Sequence, residues 1–145
     1  RALKINKQMP LVTYQKIKDF YNGDLKNKKF LVMGVSYKED INDTRYSPTE
    51  VLYKKLKKNN AIVTAHDPIV SFWNEVGVKV LKSYPNMNSF DAIVFTVRNE
   101  EYKKINFKKI NKKGTLIIDA NKVLTEKQHK ILKKRKFKTI SIGRG

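Results

Sequence analysis

Residues 28–68 read KKFLVMGVSYKEDINDTRYSPTEVLYKKLKKNNAIVTAHDP, and this stretch decides the fold. Phe30-Leu31-Val32-Met33-Gly34-Val35 is an unbroken apolar run, the pattern of a strand covered on both faces. A polar loop follows, and Ser47-Pro48-Thr49-Glu50 opens a helix. Serine suits the N-cap, proline the first helical position, and a glutamate lies three residues past the cap. The helix runs through Val51, Leu52 and Leu56 to Asn59-Asn60. Ala61-Ile62-Val63-Thr64-Ala65 is a second strand, closed by His66-Asp67-Pro68. Two such strands joined by a helix make a parallel strand–helix–strand unit.

Downstream, the alternation continues. The pattern predicts a short helix from Ser71 to Val76, a brief strand at Val78-Lys79-Val80, and the clearest strand of all at Asp91–Val97. A helical or irregular stretch crosses Asn99 to Ile110, and Leu116-Ile117-Ile118 is a further strand after Gly114. Thr125-Glu126-Lys127-Gln128 is a second capping box, opening a helix that reaches Lys134. Thr139–Ile142 is the last strand. Upstream, Ala2, Ile5, Met9, Val12, Ile17 and Phe20 recur at helical spacing, with Pro10 as a kink or restart and Asn22-Gly23-Asp24 as the stop. The expected fold is α/β: a Rossmann-like, doubly wound, mainly parallel six-stranded sheet preceded by an N-terminal helix. Arg1 opens the chain inside a helical pattern, as in a piece of a longer protein.

At 145 residues the chain is one domain long. It has no cysteine, which excludes disulfides, thiolate metal sites and a cysteine nucleophile within it. No apolar run approaches the roughly 18 residues of a membrane span, and no signal pattern opens the chain. No membrane partner and a cytoplasmic location are therefore expected. The net charge is +19, carried by 27 lysines and only 5 arginines, with Asn and Ile at 13 each. Lys, Asn and Ile are the residues of A/T-rich codons, whereas nucleic-acid surfaces lean on the arginine fork. The lysines fall in scattered pairs such as Lys54-Lys55, Lys57-Lys58 and Lys133-Lys134. That distribution reads as a solvated basic surface, and no nucleic-acid partner is expected.

In a doubly wound sheet, ligands bind just past the carboxyl end of the first strand. Here that loop is Ser36–Tyr46. A dinucleotide fingerprint requires G-x-G-x-x-G at this point, and only Gly34 is present, so standard NAD binding by this domain is not expected. Lys38 and Arg45, with the amino end of the helix starting at Pro48, form a candidate diphosphate site. In the alternative reading Asp40 and Asp43 pair with those cations and merely hold the loop; spacing alone leaves both open. Tyr37 is a stacking surface or an ordinary half-buried aromatic. Asp67 sits where a Rossmann acid grips a ribose, but the following Pro68 favours a turn former. His66 lacks companions at metal-ligand spacing, so no metal site is expected, and His129 falls in a lysine-rich helix as an exposed residue. No serine–histidine–acid or paired-carboxylate pattern marks a catalytic residue. Asp119-Ala120-Asn121-Lys122 ends the fifth strand at the same sheet edge, where Asn121 and Lys122 reach the same ligand or form a turn.

The run Gly34-Val35-Ser36-Tyr37-Lys38-Glu39-Asp40-Ile41-Asn42-Asp43-Thr44-Arg45-Tyr46-Ser47-Pro48 resembles the G-x-x-Y-K-x-x-x-x-D-x-R-x-S-P signature of the nucleotide-sugar dehydrogenases, in their C-terminal, UDP-binding domain. Collinear resemblances are Ile5-Asn6 with Met9-Pro10, Asp67-Pro68, Asp91-Ala92-Ile93-Val94, Asp119 and Gly143-Arg144-Gly145. The resemblance implies that residues 1–24 end a central helical dimerisation segment and residues 25–145 form the UDP-sugar-binding domain. It implies that Tyr37 and Lys38 contact a UDP-sugar, with Asn121 and Lys122 as further substrate contacts, and that Arg45 reaches toward bound NAD. An N-terminal domain outside this chain then binds most of the NAD and supplies a cysteine for two successive oxidations of a sugar alcohol to a carboxylate. The fragment alone is expected to be inactive, and the full enzyme to be a homodimer or larger assembly. Three positions depart from the family. Asn121 stands where an arginine is usual, so either Lys122 substitutes as a point charge or that contact is lost. Lys7 replaces an aspartate, and Leu3 an arginine. Two other readings compete: a basic nucleic-acid-binding module, and an assembly domain with a vestigial nucleotide site.

Overall fold

The run Phe30–Met33 is apolar at every position because it is buried on both sides. In the computed structural model, which describes residues 8–37, 42–45, 47–111 and 114–142, it forms β1 (Lys29–Met33). The other elements are α1 (Gln8–Phe20), α2 (Pro48–Lys58), β2 (Ile62–His66), β3 (Phe72–Trp73), β4 (Val78–Lys79), β5 (Ala92–Phe95), β6 (Leu116–Asp119), α3 (Glu126–Lys134) and β7 (Lys138–Ser141). Short 3-10 turns lie at Met87–Ser89, Glu100–Lys104 and Phe107–Lys109.

The main sheet has five parallel strands in the order β2-β1-β5-β6-β7. Alternate side chains of its central strands serve two cores. Phe30, Val32, Ala92, Val94, Leu116 and Ile118 meet Ile17 of α1 and Leu52 and Leu56 of α2. Leu31, Met33, Ile93, Phe95 and Ile117 meet Tyr102, Phe107, Ile110 and Leu132 on the other face. Both faces are covered, as a doubly wound sheet requires, and exposed positions of the sheet fall on the outer strands β2 and β7 and at Lys29, the first residue of β1.

The caps behave as their sequences indicate, with one change. The Ser47 side chain accepts the Thr49 N–H, and the Thr125–Gln128 capping box is closed in both directions. Glu50, however, pairs with Lys54 one turn on, at 2.7 Å, instead of reaching back to the cap. α1 runs unbroken through Pro10 and ends in Asn22-Gly23, both at positive φ.

The expectation of six strands in one sheet is corrected. Residues 78–79 pair antiparallel with Phe72–Trp73 as a separate two-stranded hairpin, and the predicted helix over 71–76 is absent. The cause is Trp73, fully buried in the α2-side core with its ring 5.1 Å from that of Tyr53. A turn at Gly77, where φ is +69°, folds the chain back over it. Only Leu81 then reaches the sheet, through a single parallel bridge to His66.

The chain leaves β1 for β2 on one side and returns past β1 to β5 on the other, so strand order reverses between β1 and β5. At this junction Gly34 adopts φ +107°, and a Cβ built there lies 2.6 Å from Val97 Cβ and 2.9 Å from Val97 N. Gly34→Ala should therefore lower stability by roughly 2–4 kcal/mol, the sum of a strained backbone and local overpacking. Urea unfolding measures it.

Candidate functional site

The carboxyl ends of β1, β5 and β6 form one hydrogen-bonded rim. The Gly34 carbonyl accepts the Thr96 hydroxyl at 2.7 Å and the Thr49 hydroxyl at 2.9 Å. The strand β5 and the first turn of α2 thus close on one atom of β1's end. Asn121 donates from its side chain to the Thr96 carbonyl at 3.3 Å, and the Arg98 Nε donates to the Asn121 carbonyl at 3.0 Å. The rim runs without a gap from Gly34 through Thr96 to Asn121 and Arg98.

Two buried aspartates shape the loops on this rim. Asp67 accepts from the Val35 and Ser36 N–H groups with Oδ2, and from those of Ile69 and Val70 with Oδ1. Both oxygens are occupied, so Asp67 is the turn former and not a ribose ligand. Asp119 does the same after β6. Its Oδ1 accepts from Asn121 and Val123 N–H, and its Oδ2 from Leu124 N–H and from His129 Nε2 at 3.0 Å. His129 is thus not the exposed residue that the sequence pattern suggested: it is half-buried and braces the loop carrying Asn121 and Lys122.

The predicted site residues are distributed over this rim. Tyr37 is half-buried, and its N–H donates to the Asp43 carbonyl at 2.5 Å. Lys38 lies outside the described residues, as do Asp40 and Tyr46 of the signature and the flanking Leu3, Ile5, Asn6, Lys7 and Gly143-Arg144-Gly145. Arg45 is exposed and grips Asp43 through two side-chain hydrogen bonds of 3.1 and 3.0 Å. That contact holds the Asp43 carboxyl below its ordinary value, and it is the loop-holding pair of the alternative reading. The neighbouring Thr44 donates to Glu75 of the hairpin at 2.5 Å, so the misread segment supports the loop from below. Asn121 belongs to the rim itself. Lys122, at φ +51°, lines an adjoining cleft of about 470 Å³ with Asp119, His129 and Ser141. Sequence reading missed Arg98, although its place directly after β5, beside the strand reversal, was a usable signal.

His66 lies on the far side of the same strand ends and is fully buried. Its Nε2 faces the Lys82 carbonyl at 3.1 Å and therefore carries the proton, leaving Nδ1 to accept the Tyr102 hydroxyl at 3.0 Å. The ring stacks on Tyr84 with centroids 4.7 Å apart. His66 is a satisfied core histidine. Among the described residues no group of three or more His, Asp or Glu side chains is arranged to hold a metal ion. Gly34, the one glycine between β1 and α2 in the sequence, is packed against Val97.

What remains is a hydrogen-bonded rim carrying the exposed Arg98 and Lys122, at the point where such sheets take nucleotides. Residues 31–126 match the model of the UDP-glucose/GDP-mannose dehydrogenase family, UDP binding domain. The chain belongs to this family. It is 29% identical to the UDP-glucose 6-dehydrogenase of Rickettsia conorii, over 98% of the chain and 34% of that protein. It is 32% identical to the UDP-N-acetyl-D-mannosamine dehydrogenase of Methanococcus vannielii, over 99% of the chain and 34% of that protein. The crystal structure of the NDP-N-acetyl-D-galactosaminuronic acid dehydrogenase of Methanosarcina mazei Go1 superposes on it with a TM-score of 0.77 at 25% identity, covering 96% of this chain and 30% of the other. The chain spans about a third of the length of these dehydrogenases and corresponds to the family's C-terminal, UDP-binding domain.

Burial pushes the His66 pKa below its ordinary 6.5. As the pH falls below 6.5, the unfolded chain takes up this proton before the folded one does, so stability is lost on acidification. The contribution of this group to the unfolding free energy should decline below that pH, by at most about 1.4 kcal/mol per pH unit. His66→Gln should flatten the decline between about pH 7 and 5.5, the range in which histidine titrates. Separately, Asp119→Ala strands the Val123 and Leu124 N–H groups and should lower stability by roughly 2–3 kcal/mol, read from the same unfolding curves.

Proposed function

We propose that this chain is the nucleotide-sugar-binding part of an NAD-dependent UDP-sugar 6-dehydrogenase, whose whole reaction oxidises the sugar C6 alcohol twice, to a carboxylate. The observation that carries this reading is the continuous rim from Gly34 through Thr96 to Asn121, which sets cationic residues around the strand reversal in a domain matched to UDP binding. A diphosphate needs positive charge and N–H donors held in advance, and it gains most where the frame does not reorganise on binding.

In this reading Lys38 contacts the diphosphate and Tyr37 flanks the nucleotide, while Asn121 and Lys122 add contacts from the β6–α3 loop. Asp43 restricts the rotamers of Arg45 by holding its guanidinium at two points, which suits a residue reaching outward to a cofactor. NAD, when bound, accepts the electrons of both oxidation steps. Its pyrophosphate is held mainly by another part of the full protein, because the only glycine of the β1–α2 loop is already packed against Val97. The nucleophile also comes from elsewhere, since this chain has no cysteine. Alone, the chain is therefore inactive.

UDP titrated into the protein in a calorimeter should give saturable heat. Lys38→Ala should weaken binding by roughly 1.5–3 kcal/mol, the range for a hydrogen bond to a charged group. Absence of binding heat points to a vestigial site and contradicts the proposal.

A further inference from the structure

We infer that Arg98 is a phosphate ligand in this crevice, contributing a guanidinium to a bound nucleoside diphosphate; the inference rests on the nucleotide-binding reading above. Arg98 directly follows Val97, past the carboxyl end of β5, the strand that flanks the reversal of strand order. Its neighbours Val97 and Asn99 are buried, whereas Arg98 is exposed, so an accessible side chain stands between two residues anchored in the interior.

The way Arg98 is held separates it from the other cations. Its Nε donates to the Asn121 carbonyl at 3.0 Å. A neutral carbonyl orients the guanidinium without cancelling its charge. With Nε engaged, the two Nη nitrogens are left as an end-on fork, the geometry that meets two oxygens of a phosphate at once. Among the described residues no carboxylate pairs with Arg98. Other charged side chains do pair: Arg45 with Asp43, Lys54 with Glu50 and Lys103 with Glu100. Glu100, the nearest acid in sequence, is thus taken by Lys103. An oriented but unneutralised guanidinium at the rim of a crevice is kept for an anion from outside. Holding the side chain beforehand also lowers the conformational entropy lost when that anion arrives.

The position also suits the chemistry of position 121. Asn121 has no charge to offer, and it is tied into the rim twice: its side-chain Nδ2 donates to the Thr96 carbonyl and its backbone carbonyl accepts from Arg98. The loop after β6 thus serves as the anchor, and the cation comes from the adjacent strand end.

A purely structural Arg98 would only satisfy the Asn121 carbonyl, a task unrelated to the number of phosphates on the ligand. UDP and UMP are therefore titrated calorimetrically into wild-type protein, Arg98→Gln, Arg98→Lys and, as a control for general loss of positive charge, Lys134→Gln. Thermal unfolding confirms that each variant is folded. Arg98→Gln is expected to weaken UDP by roughly tenfold or more and UMP much less. Arg98→Lys should fall between, keeping the charge but losing the fork, and Lys134→Gln should match wild type. If wild type takes up no UDP, the crevice reading fails and this inference with it. If wild type binds UDP and Arg98→Gln stays within about twofold of it, only the Arg98 assignment is overturned. Equal losses for UDP and UMP, or a loss of the same size in Lys134→Gln, also overturn it.

Discussion

Everything at the functional end of this domain depends on how closely β1 and β5 approach where the chain reverses direction across the sheet. With no side chain at Gly34, Val97 packs directly against the backbone. The Gly34 carbonyl can then collect hydroxyls from Thr96 on one side and Thr49 on the other. These bonds are buried, where an unmet carbonyl would be costly. They tie the end of β1, the β5 end and the start of α2 to one another. The glycine that in a dinucleotide fingerprint makes room for a pyrophosphate is used here to bring two strands together.

The loops on the rim are built by a repeated device. Asp67 after β2 and Asp119 at the end of β6 are both buried, and each turns the chain by gathering N–H groups of the residues around it. Each carboxylate is satisfied within the frame, leaving the rim itself to cations. Their negative charge is spent inward. The lysines that dominate the net charge sit mainly on exposed helix and turn surfaces, Lys54 and Lys103 paired with an acid one turn away, and such pairs add little to stability. Total charge is therefore a poor guide to the site, and the pairing state of individual cations is a better one.

Much of the fold was legible in the residues because it rests on local rules. Apolar runs covered on both faces, the caps at Ser47 and Thr125, and the positive-φ stop at Asn22-Gly23 each depend on neighbours a few positions away. The hairpin at 72–79 was not legible. A serine followed by mixed residues resembles a helix start, and only the depth to which Trp73 is buried against α2 makes a reversed turn preferable. His129 was misread for the same reason. Its helix is rich in lysine, but its partner is Asp119, ten residues earlier on another element.

The sequence by itself determined the α/β alternation, the loop that faces the crevice, the absence of a cysteine nucleophile and of a dinucleotide fingerprint, and a signature long enough to indicate the family. These are matters of residue type and spacing along one strand of chain. Tertiary structure alone decided which strands share the sheet, that Asp67 serves the backbone and not a ribose, that Arg45 is tied to Asp43, and that Arg98 stands beside Asn121 with its Nε anchored. Each of these is a contact between segments that folding brings together, and its outcome turns on burial and on competition for hydrogen-bond partners, which no local pattern records.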